Sequence, residues 1–345
     1  MKKIHLIILL FLLELSLSAQ AGKTWNVTFP IQIKLKSKSI PTPPKFYGKM
    51  SSILIFNNLL ISIEPYNDTI FSIFELPNCN FISSFGINGR GPNEFATPDS
   101  RNAFVTKNGI TFKDLSERFI SIDLTNYLKN RTYVLHITKL PGELEILNNS
   151  FWLNDSTICG LPYIGGRFNK PYIRYNINTK KIDPFGIWPN IYPHRKETEK
   201  QSWIIYAGRS RVKPDQSMFV TFMFNIKMFR IYMNSGELFK EIILETQDNF
   251  FEGNEIRSYP KMYYTCIRTT DKYIFALNTA CSIAEMPKKV PTLEIWDWNG
   301  KPIAEIQLDI PVNQFDITQD GKLVYCNDWN TMDKLYIYDV SGIIK

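Results

Sequence analysis

Six segments of this 345-residue chain repeat one pattern: an alternating apolar run, a polar turn and a second alternating run. They are Thr69 to Gly86, Arg118 to Leu135, Pro171 to Trp188, Lys227 to Leu244, Pro291 to Leu308 and Asp333 to Lys345. Such repetition constrains the fold more than any single motif, because one unit cannot bury its apolar face alone and must stack on its neighbours. A second pair of short runs, joined by a tight polar turn, precedes each segment. The clearest is Phe315 to Cys326, where Asp320-Gly321 between alternating apolar residues is a strong hairpin signal. Similar turns fall at Lys107-Asn108-Gly109, Asn154-Asp155-Ser156, Pro214-Asp215-Gln216 and Thr270-Asp271-Lys272.

Four strands per unit follow. The 324 residues after Ala21, divided by six, give 54 per unit, against the ~40 to 50 of a propeller blade, and loop insertions supply the excess. The chain is therefore expected to be all-β: a six-bladed β-propeller of four-stranded antiparallel blades, in preference to a β-sandwich with a second β domain. The sixth unit ends at Ile343-Ile344-Lys345, too early for a fourth strand. The orphan run Trp25 to Ile33 is expected to close that last blade, with Ser37 to Pro44 as the link into the first. An edge left open there would invite aggregation.

Between two alternating runs lies Phe85 to Pro98, Phe-Gly-Ile-Asn-Gly-Arg-Gly-Pro-Asn-Glu-Phe-Ala-Thr-Pro. Glycine and proline stop a strand here, through backbone entropy and a lost donor. The stretch resembles the Gly-x-Gly-x-Gly-Pro-x-Glu-Phe crossover of the TolB-like and NHL-like six-bladed propellers. The resemblance implies the ring over Thr24 to Lys345, and no catalytic set. It makes Gly89, Gly91, Pro92, Glu94 and Phe95 a structural linker, the Glu94 carboxylate tying down free amides while Phe95 plugs a blade interface. Some such propellers are metal-dependent lactone or phosphoester hydrolases. Glu64, Asn154, Asn327 and Asp328 could be cast as ligands, although their spacing matches no metal motif.

Met1 to Ala21 reads as a signal peptide: Lys2-Lys3, an apolar middle and Ala19-Gln20-Ala21. Residues 22–345 are then one propeller domain, exported to the periplasm or secreted, with no lipobox cysteine and no membrane span after processing. Without Lys2, Lys3 and Glu14 the chain keeps 38 basic and 32 acidic residues, a net charge of +6. That lean favours anionic partners, and export disfavours nucleic acid. The five cysteines form no Cys-x-x-Cys pair, so a zinc site is not expected, and small buried hydrophobes are preferred to disulfides.

In a propeller, loops between the second and third strands and loops between blades share one face. The long loops here, Gly86 to Asp99, Pro162 to Lys170, Pro189 to Ser202, Thr246 to Tyr259 and Ala280 to Val290, all belong to it. Their surroundings supply the candidate ligand-binding residues Arg90, Arg101, Tyr163, Arg167, Trp188, His194, Arg195, Trp203, Arg209 and Arg211. Arginine forks grip carboxylate or phosphate, and aromatic faces stack on sugar rings or peptide side chains. The expected role is a binding or scaffold module for an anionic carbohydrate, peptide or protein. The alternative is a divalent-metal hydrolase, or a lyase acting on acidic sugars, with calcium as its candidate cofactor. No catalytic residue is assigned. His194 is the one plausible histidine acid or base, His136 reads as a strand position satisfied by a neighbour, and no Gly-x-Ser-x-Gly elbow supports a serine hydrolase.

Overall fold

The computed structural model describes residues 24–41, 52–91, 93–144, 147–162, 168, 170–192, 197–246, 250–256, 261–331 and 334–344. The signal-peptide expectation, Pro92, Tyr163, Arg167, His194 and Arg195 lie outside them. Six small antiparallel sheets follow one another around a ring, forming a six-bladed β-propeller. The innermost strands, in blade order, are Ser52–Phe56, Phe104–Val105, Asn148–Asn154, Gly208–Val212, Met262–Thr269 and Val312–Ile317. Each blade then steps outward by hairpins, as in blade 4, where Met218–Met223, Lys227–Met233 and Leu238–Glu245 follow in ladder order.

Alternation along these strands does not separate a wet face from a dry one. Both faces of a blade meet a neighbour, so Leu59–Ile63 is buried at every position and Thr69–Glu75 at all but its ends. Six hydrophobic clusters each join two adjacent blades, and together they pair every blade with the next all the way round. Blades 1 and 2 share Phe71, Phe95 and Phe112. Phe119 meets Ile158 between 2 and 3, and Phe151 meets Phe219 between 3 and 4. Phe229 packs with Trp296 between 4 and 5, and Ile295 with Phe315 between 5 and 6. Tyr325 with Leu60 and Ile53 closes the circuit between 6 and 1. Six interfaces for six sheets is the energetic content of ring closure.

The N-terminal segment closes the last blade, but through different residues from those expected. Lys38–Pro41 is the outer strand of blade 6, antiparallel to Lys334–Asp339 with Ile40 opposite Leu335. Its proline costs nothing at the end of an edge strand, where a donor is dispensable. The run Trp25 to Ile33 instead crosses outer edges upstream of the seam. Trp25 donates its backbone N–H to Ile243 of blade 4 at 2.6 Å, and Phe29 meets Trp296 edge-on at 4.9 Å. Gln32–Lys34 then adds a fifth, parallel strand to blade 5 along Pro302–Gln307. The chain thus straps three blades before it enters the first. All five cysteines are buried free thiols.

Candidate functional site

Strand order puts the long loops on one face, and several of the predicted residues there serve the loops themselves. Gly91 donates to Glu94 Oε2 at 2.7 Å, and Gly89 donates to the Phe95 carbonyl at 3.0 Å. A Cβ on Gly89 would stand 2.0 Å from that same carboxylate oxygen, so the close approach requires glycine. Phe95 is fully buried among Phe71, Phe112 and Tyr133. Trp203 lies on the helix Glu199–Ile205 and donates its indole N–H to the Pro162 carbonyl at 2.8 Å. Trp188 is half-buried 6.1 Å from the Tyr206 ring, whose hydroxyl donates to Glu197. These aromatics cap blade 4. Arg90 and Arg101 are exposed, and neither guanidinium has a partner among the described residues.

Arg209 and Arg211 are not loop residues. Both sit on the innermost strand of blade 4, lining the channel, and only 6% and 7% of their surface is exposed. They stand two apart, so the pleat puts them on one side of the strand. Arg209 donates to the Thr265 carbonyl of blade 5 at 2.8 Å and lies over Phe224. Arg211 donates to its neighbour Ser210 and reaches across to the Arg101 carbonyl of blade 2, each at 2.9 Å. A third guanidinium joins them from blade 5. Arg268 donates to the carbonyls of Ile267 and, at 3.4 Å, Ile53 of blade 1, and its Nε lies 3.0 Å from Asp316 of blade 6 without being aimed at it. Asp316 in turn accepts the Ile55 amide at 2.6 Å.

Three buried cations thus share one buried anion, with the half-buried Asp99 carboxylate also acting on Arg209. Burial, reinforced by the other arginines, pushes Arg209 down to about 10 and Arg211 down to about 9. A guanidinium offers five donors, yet Arg209 uses one and Arg211 two, leaving the Nε of each without a partner. Among the described residues, ten buried side-chain polar atoms are unpartnered, and eight belong to innermost strands: those of Ser52, Trp152, Arg209, Arg211, Thr265, Arg268, Asn313 and Gln314. Orphans this concentrated mark the channel as the polar site of the molecule.

The residues suggested as metal ligands do not converge. Asn154 accepts from Ser156 in a hairpin turn on the short-loop face, whereas Glu64 lies at the opposite end of its blade, beside Ser62 and Asn67. Asn327 accepts the Gln314 amide, and Asp328 caps the turn at Asn330 and Thr331. Among the described residues no group of three His, Cys, Asp or Glu side chains could hold a metal ion. His136 is exposed on the outer strand of blade 2 opposite Ser121, with no neighbour satisfying it among the described residues. Arg268 and Asp316 were not singled out from sequence. The available signal is a charge inside the first strand of a repeat, in Met262–Thr269 and Val312–Ile317.

A ring of six sheets around an arginine-lined channel defines a β-propeller, and comparison with solved structures finds the same architecture. A member of the DUF4221 family from Bacteroides vulgatus ATCC 8482 is 12% identical over 88% of this chain and 96% of that one, with a TM-score of 0.56. A predicted exported protein from Bacteroides fragilis NCTC 9343 is 13% identical over 90% and 98%, with a TM-score of 0.55. The β-propeller domain of Cps50 (Swd1) from Myceliophteria thermophila is 10% identical over 88% and 99%, at 0.51. At these identities the likeness is one of fold. No family model and no curated protein matches the chain.

Proposed function

We propose that this protein is an exported binding module of the TolB-like and NHL-like kind, which captures an anionic glycan, peptide or protein at the channel and its long-loop mouth. The carrying observation is the charge imbalance inside the ring: Arg209, Arg211 and Arg268 against Asp316 and the half-buried Asp99, with the Nε atoms of Arg209 and Arg211 unpartnered. Buried like charges are costly unless paired, and an incoming oxyanion pairs them by charge-assisted hydrogen bonds. Arg101, exposed above the channel, and Arg90 extend the same charge outward. The export part rests on the Lys2-Lys3, apolar, Ala19-Gln20-Ala21 pattern and on the exported neighbour. The kinship rests on Gly89-Arg90-Gly91-Pro92-Asn93-Glu94-Phe95.

The test is calorimetric titration with heparin, polygalacturonate and polyglutamate, with dextran as the neutral control. At least one polyanion is expected to bind, more weakly as salt rises, and the Arg209→Met/Arg211→Met variant is expected to lose most of that binding. Indifference of the wild type to all three polyanions would overturn the reading.

A further inference from the structure

The unpartnered atoms of the channel are not all donors, and their arrangement narrows the ligand. The innermost strands run in the same direction, from the long-loop face inward, so contacts between them fix their relative heights. Arg209 reaches the Thr265 carbonyl, the Cys266 thiol meets the Phe315 carbonyl at 3.7 Å, and Asp316 accepts the Ile55 amide. These pairings set Arg209, Thr265, Asn313 with Gln314, and Ser52 at about one level, on blades 4, 5, 6 and 1. One level deeper lie Arg211, Arg268 and Asp316.

The deeper level is an ionic plug held largely by backbone carbonyls. The upper level is where neutral side chains lack partners: Thr265 Oγ1, Asn313 Oδ1, Gln314 Oε1 and Ser52 Oγ. Thr265 and Asn313 are moreover the extra residues of two β-bulges. The ladder jumps from Tyr264 to Cys266 in blade 5 and from Val312 to Gln314 in blade 6. A bulge re-aims a side chain that regular pleating would send into the blade interface, and bulges concentrate next to binding and active sites. Two neighbouring blades carry one at the same height.

We infer that the group received here is an acidic sugar residue, its charged substituent on Arg209 and Arg211 and its hydroxyls donating to Asn313 and Gln314. This deepens the anion-binding reading and rests on it. Two amide oxygens need donors and two hydroxyls can serve either way, whereas the arginines need an acceptor. Sulfate, or the side-chain carboxylate of an acidic peptide, brings no donors to the amide oxygens. A sugar bearing a carboxylate or a sulfate ester brings both halves.

The experiment titrates the full chain with glucuronate, glucose 6-sulfate, glucose, sulfate, succinate and triglutamate. At least one acidic sugar should bind about tenfold or more tightly than every other probe, and which one binds separates carboxylate from sulfate ester. Asn313→Leu/Gln314→Met should weaken that sugar about tenfold while leaving sulfate affinity unchanged. Thr265→Val provides a second, near-isosteric variant should the first fold poorly. If sulfate, succinate or triglutamate binds as tightly as the acidic sugars, or if neither variant weakens the sugar, the sugar inference falls while anion binding stands. If no small probe and none of heparin, polygalacturonate or polyglutamate binds, both fall.

Discussion

Replacing Arg211 by methionine should stabilise the protein, although it removes a buried side chain with two hydrogen bonds. Arg211 is charged at pH 7 in a site where burial and the neighbouring arginines push it from the ordinary guanidinium range down to about 9. At about 1.36 kcal/mol per pH unit of displacement, that costs the folded state on the order of 5 kcal/mol. The hydrogen bonds to Ser210 and Arg101 return about 1 kcal/mol each. Methionine keeps the unbranched stem and removes the charge, so a net gain of about 1–3 kcal/mol is expected, as when other poorly compensated buried charges become apolar. With an unfolding entropy of about 2.1 cal/mol/K per residue over roughly 320 residues, each kcal/mol moves Tm by about 1.5 °C. The variant should therefore melt about 2 to 5 °C higher by calorimetry at pH 7, in a low-salt buffer without sulfate or phosphate. The sign follows from linkage: the folded pKa is depressed, so the unfolded chain binds more protons between about pH 9 and the ordinary guanidinium range, and the penalty is fully present below that window. Adding sulfate should narrow the gap by stabilising the wild type alone. A Tm lowered by several degrees would show that Arg211 pins blade 4 to blade 2, and the electrostatic case for an anion in the channel would be lost.

Phe95→Ala should destabilise by about 3–5 kcal/mol in urea titration, since the ring is fully buried between blades 1 and 2. Gly89→Ala should force Glu94 off the Gly91 amide, costing about 1–3 kcal/mol and speeding proteolysis of the crossover. Deleting residues 24–35 should leave a folded, monodisperse ring, whereas deletion through Pro41 should expose the edge of Lys334–Asp339 and produce aggregation on size-exclusion chromatography. All five thiols should resist Ellman's reagent at pH 8 until the protein unfolds, because each is buried and burial pushes Cys79 up to about 11.

The ring was legible because period-two alternation and Asp-Gly-type turns are local signals, and each recurs in units of comparable length. The seam was legible only in outline. Trp25 to Ile33 alternates more clearly than Lys38–Pro41, and each carries a single proline, Pro30 and Pro41, so alternation alone favours the first as the closing strand. Both stretches are in fact used at sheet edges, and what chooses between them is distance. The chain leaves Pro41 only ten residues before Ser52 opens blade 1, and blade 6 is the neighbour of blade 1. That constraint belongs to the closed ring and not to either stretch.

The site was harder to read for a different reason. Arginines in long loops look like ligand contacts because loops are variable and exposed, and by that logic Arg209 and Arg211 fall in with Arg90 and Arg101. Yet exposure leaves a guanidinium solvated at little cost, so Arg90 and Arg101 gain modestly from any partner. Within the first strand of a repeat, a charge must instead face the channel or be buried at an interface, and either demands a partner. Arg209, Arg211, Arg268 and Asp316 all occupy such strands, and the unpartnered amide oxygens of Asn313 and Gln314 lie on the same tier of the ring. In a propeller, the informative comparison is therefore between equivalent first-strand positions of successive blades. There, three positive charges and one negative charge fall on the first strands of blades 4, 5 and 6, whereas the corresponding strand of blade 1, Ser52–Phe56, carries none.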